Sequence, residues 1–174
     1  WQVRSFSWIA ITSIASDDAN KGSDQGDSGI DKHLIDILAH DATSISVAEV
    51  WEGHFNGIQR ANQVINRIKL FDELDLELKS RLIGEAKFLR ALLYFRLLQT
   101  YGGVPIITET PDINSPVETL LRRASKDEVF KFIENDLIES INVLPEKSAY
   151  TDNELGRASK GAAKTLLAKI SMYQ

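Results

Sequence analysis

The residues that could do chemistry begin with an acidic stretch, "SDDANKGSDQGDSGID", carrying Asp17, Asp18, Asn20, Asp24, Asp27 and Asp31. Calcium takes six to eight oxygen ligands from a flexible loop. Asp18-x-Asn20-x-Gly22 opens like a calcium loop, but the oxygen at the fifth position and the closing glutamate are absent. Two readings stay open, a calcium site and a solvated acidic loop, and the missing ligands weigh towards the second. His33, His40 and His54 are the only histidines and none stands in a zinc spacing, so they are expected to face solvent or be capped. There is no cysteine, which removes thiolate catalysis, disulfides and Cys-based zinc sites together. No G-x-S-x-G occurs, and Gly102-Gly103 follows a helical pattern instead of preceding one, so it cannot form a helix N-terminal anion cradle. Asp72, Glu73, Asp75 and Glu77 cluster where a turn between helices is expected, with solvation and pairing to a helix N-terminus as their roles. Exposed tryptophans stack on sugars or bases, but Trp8 and Trp51 sit in apolar helical patterns and are expected in the core, while Trp1 is left open. No catalytic, cofactor or metal set emerges, the expectation is a non-enzyme, and no ligand-binding residue is marked.

The elements around these residues read as helices. The 174 residues are enough for one well-buried domain. Net charge is −5 with no Lys/Arg stripe, which argues against nucleic acid. No run of about 18 apolar residues is present to cross a membrane as a helix. Trp1 in place of Met, and a helical pattern still running at Gln174, predict a piece cut at both ends. Residues 1–15 predict a helix with Val3, Phe6, Trp8, Ile11 and Ile14 inward; 16–29 predict a loop; a short helix follows near 32–39. Residues 47–69 and 75–101 predict two long helices. The stretch 102–124 holds three of the four prolines and predicts an excursion. Ser125 and Glu128 form a capping box for a helix ending before Pro145, and 157–174 predicts the last helix.

The 75–101 helix is apolar on two sides. Leu82, Ala86, Leu89, Leu93 and Leu97 form one stripe, and Phe88, Ala91, Leu92, Phe95 and Leu98 the other. Two stripes require neighbours on two sides, whereas a surface helix has one. Glu85, Arg96 and Gln99 lie in one polar seam and Lys87, Arg90 and Tyr94 in the other. The partners expected for the arginines are acidic groups on neighbouring helices. "GEAKFLRA" from Gly84 and "GAAKTLLA" from Gly161 share G-x-A-K-x-L-x-A, so helix pairs at about 47–101 and 125–174 read as a repeat with small residues at the close crossings. The fold class expected is all-α, tetratricopeptide-like helix pairs (an α-α superhelix) with long loops, in a single helical domain over 1–174.

Five segments in order then resemble the SusD/RagB family of outer-membrane nutrient-binding lipoproteins. "LIGEAKFLRALLYFRLLQTYGGVPII" looks like the family hallmark. "VWEGHFNGIQRANQVINRI", "RASKDEVFKFIENDLIESINVLP", "GRASKGAAKTLLAKISMY" and "IASDDANKGSDQGD" are similar to four further segments. The resemblance implies a cell-surface protein held on the outer membrane by an N-terminal lipid anchor absent from this chain. It implies capture of glycans or other nutrients with a TonB-dependent (SusC-like) transporter, with the helix pairs as scaffold and docking part. It carries over no ligand residue. The alternative is a tetratricopeptide-type protein-interaction module with no ligand-binding role.

Overall fold

The computed structural model describes residues 6–22, 29–109 and 122–174. The chain falls into two compact units, Trp1–Asn56 and Gly57–Gln174. The helices are α1 (Phe6–Ile9), continued by a π-helical turn Ala10–Ile14, then α2 (Ile30–Asp36), α3 (Ile45–Arg67), α4 (Leu76–Tyr101), α5 (Lys126–Val143) and α6 (Lys160–Ser171). Among the described residues there is no strand.

In the first unit, Ala10 and Ile14 pack on Ile35 of α2. The expected inward set of the first helix is displaced. Ser7, Ala10 and Ile14 are buried, Trp8 and Ile11 are half-buried, and Phe6 stands 60% exposed beneath the Lys32 ammonium. Val3 lies outside the described residues. The i→i+5 turn at Ala10–Ile14 departs from the 3.6-residue period on which the expectation rests. The last carbonyls of α2 are satisfied by Ala39 N–H donating to Leu34 O, around a left-handed Leu38.

The second unit is built around α4. Asp75 caps its N-terminus, its carboxylate accepting from the amides of Glu77 and Leu78. Gly102, at φ 75°, ends it where other residues would be strained. One side of α4 meets α3: Ala86 clusters with Ala61 and Ile65, and Leu93 lies over Gly57. Another side meets α5, where the buried stripe Val129, Ile133, Leu137 recurs every four residues and Ser140 donates to Gly84 O (2.9 Å). The two-sided reading of α4 therefore holds, and so does the all-α class of paired helices. Ser125 and Glu128 form the expected capping box of α5. The last helix begins at Lys160, later than expected, because Ser159 caps it and Arg157 is engaged elsewhere: its guanidinium grips Glu85 through two hydrogen bonds (2.9 and 2.6 Å).

The matched repeat letters differ in burial. Gly84 is buried, and a Cβ there would meet Val143 Cγ2 at 2.4 Å, whereas at Gly161 the nearest atom is 4.0 Å away. Ala91 is fully buried while Ala168 is exposed. The matched leucines run the other way, Leu89 being exposed and Leu166 buried, so the shared letters do not mark the same packing in the two helices.

Candidate functional site

The acidic stretch does not gather. Asp17, Asp18 and Asn20 are exposed, and Asp24 and Asp27 lie outside the described residues. Asp31 is committed to the start of α3: it accepts from the Ser44 hydroxyl (2.6 Å), the Ser46 amide (3.1 Å) and the Ser46 hydroxyl, with Lys32 at 3.3 Å. Burial pushes its carboxyl up, but the Ser44, Ser46 and Lys32 hydrogen bonds outweigh this and bring it down to about 2. Among the described residues no three His, Asp or Glu side chains come together as metal ligands would.

Of the histidines, His33 is half-buried, His40 is exposed, and His54 departs from expectation, being fully buried. Its Nδ1–H donates to Val50 O (2.7 Å) and its ring lies 5.2 Å from that of Trp8. An N–H satisfied by the helix's own backbone lets an imidazole enter the core. Trp8 and Trp51 are half-buried, Trp51 stacking on Phe55 at 4.7 Å.

The second unit holds a buried polar network that ties α3, α4, α5 and the extended segment after Gly103. Arg90 donates to both carboxylate oxygens of Asp136 (2.7 and 2.8 Å) and to Asn62 Oδ1 (2.7 Å). Its guanidinium also stands 5.0 Å over the Phe132 ring. Burial raises the Asp136 carboxyl above the usual carboxylate range, against the pull of Arg90. Asn62 in turn donates to Ile107 O (2.8 Å) and Asn66 to Thr108 O (3.2 Å). The Tyr94 hydroxyl accepts from Ile107 N–H (2.7 Å), and burial pushes its phenol up to about 12, so it stays a neutral hydrogen-bonding group. The seam predicted for Arg90 and Tyr94 is thus a filled core position. Arg90 does find an acidic partner on a neighbouring helix, as expected, and Lys87 pairs with Glu139 of the same helix. This network builds the unit; every group in it is occupied by another, which leaves nothing to offer a substrate.

The concave surface lies elsewhere. Along the end of α3 and the turn that follows it is an open cleft of about 990 Å³. Its lining mixes the apolar Val64, Ile68, Leu70 and Phe71 with the charged Arg60, Arg67, Asp72 and Glu73. Of these, the sequence reading singles out only the two acids. The signal for the rest is Leu70-Phe71, two large apolar residues placed after the helical period has ended. A smaller cavity of about 330 Å³ lies between Asp75, Arg81 and Pro145.

The family model described as "Starch-binding associating with outer membrane", of the SusD-like type, matches residues 12–172. A SusD-like protein of Bacteroides ovatus is 33% identical over 128 residues, which cover 72% of this chain and 22% of that one. A solved laminarin-binding SusD-like protein superposes with a TM-score of 0.77 at 33% identity, over 88% of this chain and 32% of that one. A structure solved with xylogluco-oligosaccharide gives 0.68 at 29% identity, covering 79% and 26%. With the helix pairs, the α4 hallmark and the match along nearly its whole length, this chain belongs to the SusD-like family. It spans about a quarter of the length of the curated relatives it matches.

Proposed function

We propose that this chain is the helical part of a cell-surface glycan-binding protein of the outer membrane, working with a TonB-dependent transporter and serving as scaffold and docking part. The observation that carries the reading is the family match over residues 12–172, joined to likeness with a laminarin-binding relative. The test is calorimetry of the full-length protein that contains this chain against a panel of soluble glycans, with co-purification of the transporter as a second readout. Saturable binding of one glycan class, and a transporter complex that survives purification, are expected. A full-length protein that binds no glycan removes the reading. Glycan binding without any transporter complex removes its docking half.

A further inference from the structure

Between α5 and α6 the chain makes a closed loop. The Lys160 amide donates to Pro145 O (2.9 Å), so residues 146–158 leave the body and return to it at one point. A surface loop of roughly 6–16 residues with joined ends, packed by its own side chains, is an Ω-loop, a form that often carries function. This one has internal bonds of its own. Two 3₁₀ turns, Lys147–Ala149 and Asp152–Glu154, flank Tyr150, whose hydroxyl donates across the loop to Ala158 O (2.7 Å). The neighbouring helices are finished without it. Leu144 N–H closes α5 on Ser140 O (2.9 Å), and the Ser159 hydroxyl caps α6.

The loop is tied to α4 mainly by charge. Of residues 146–158 only Tyr150 is buried, with the Arg81 guanidinium 5.7 Å over its ring. Arg157 grips Glu85 through its two hydrogen bonds, and Arg81 pairs with Glu154 at 2.8 Å. The Tyr150 hydroxyl stands 3.4 Å from Glu85. These ties converge on Arg81 and Glu85, one turn apart on α4. Ion pairs between partly exposed side chains are weak one by one and are screened by salt. The buried stripe of α5 that packs on α4 is apolar and is not screened in this way. A segment with one buried side chain and charged ties opens at lower free energy than the core beside it. Ala149 of the loop also forms part of the wall of the cavity of about 330 Å³, which Leu78 and Arg81 of α4 line from the other element.

We propose that residues 146–158 are a strap that lifts from α4 as one body, hinged at Pro145 and Ser159, with Arg81 and Glu85 as its latch. Lifting withdraws Ala149 from the cavity wall and Tyr150 from Arg81, so the cavity is widest when the strap is up.

The test is hydrogen-exchange mass spectrometry of the full-length protein that contains this chain. Sodium chloride is raised from about 0.1 M to about 1 M, which shortens the screening length from about 10 Å to about 3 Å. Peptides over 146–158 are expected to exchange faster than those over α4, α5 and α6, and to speed up with salt while the helices do not. Glu85→Gln and Arg157→Gln are each expected to speed the strap about fivefold at low salt, the scale of one lost ion pair, and to remove most of its salt dependence. Lys87→Gln, which breaks the pair between α4 and α5 instead, is expected to leave the strap unchanged. In Leu78→Cys, alkylation of the thiol, followed by peptide mapping, is expected to quicken with salt in step with the strap. Exchange of 146–158 that ignores both salt and the latch variants overturns the proposal. So does acceleration of the strap and the helices together, or an equal effect of Lys87→Gln. Alkylation that ignores salt while the strap responds overturns the link to the cavity.

Discussion

At the scale of single residues, the unit 57–174 depends on Arg90 having its partners. Its three hydrogen bonds to Asp136 and Asn62 leave no donor side of the fork facing an empty interior. Removing one partner strands a buried charge, so Arg90→Ala and Asp136→Ala are each expected to cost roughly 3–5 kcal/mol in urea denaturation. The double variant Arg90→Met with Asp136→Leu is expected to recover most of that loss, since a well-packed apolar pair replaces a buried ion pair at little cost. A double variant as unstable as the singles would show that Arg90's bond to Asn62 dominates. Asp31 gives a pH signature of opposite origin. Its folded carboxyl sits at about 2, below the ordinary 3.8, so its contribution is present above pH 4 and is lost as pH falls towards 2. The stability difference between wild type and Asp31→Asn, measured by thermal melts, is expected to shrink steadily across that window. A difference that stays constant down to pH 2 would remove the carboxylate from the cap. The sequence points to an acidic partner for Arg90 on a neighbouring helix but not to which one, since Asp136 is 46 residues away, nor to how deeply the pair is buried. Asp31 stood among acids whose spacing suggested a cation, yet its actual partners are two serine hydroxyls 13 and 15 residues on.

At the scale of elements, the legible features were the local ones. The two stripes of α4, its stop at Gly102, and the Ser125–Glu128 box depend on residues within a turn or two of one another, and each appears where the letters place it, except that Leu89 of the first stripe stands 51% exposed. The inward face of the first helix was misread because its π-helical turn departs from the period on which the reading rests. The repeat was visible as letters but not as packing, since burial depends on how many neighbours a helix has. The crossings give a graded prediction. A Cβ at Gly103 would meet the backbone carbonyl of Ala124 at 2.1 Å, while one at Gly84 would meet the side-chain atom Val143 Cγ2 at 2.4 Å. A side chain can rotate aside and a backbone carbonyl cannot, so Gly103→Ala is expected to destabilise by about 2–3 kcal/mol and Gly84→Ala by about 1 kcal/mol less. Chemical denaturation ranks the two, and the reverse order would place the slack in the loop instead of in α5.

At the scale of the whole chain, the two units offer separate readouts. The tryptophans at positions 1, 8 and 51 all fall in Trp1–Asn56, whereas α4, α5 and α6 fall in Gly57–Gln174. Tryptophan fluorescence therefore reports on the first unit and far-UV circular dichroism mainly on the second. Asp31→Asn is expected to move the fluorescence-detected melt by several degrees and the dichroism-detected melt by less, and Arg90→Ala to do the reverse. Equal shifts in both signals for both variants would show one cooperative unit in place of two. The family was readable from sequence because five ordered segments carry it. The open cleft was not, because its lining comes from the end of one helix and the turn after it, with no shared periodicity.

The Ala124 amide donates to Val104 O (3.2 Å), and Gly103 lies flush against Ala124, so the two ends of the stretch between them are fastened at the base. Asn62, Asn66 and Tyr94 hold the outgoing segment of that base by its backbone. With the ends already joined, doubling the length of what hangs from them adds only about 0.6 kcal/mol of closure entropy. A change in the length of that stretch therefore costs the helices little, which makes the knot at Val104 and Ala124 a graft point.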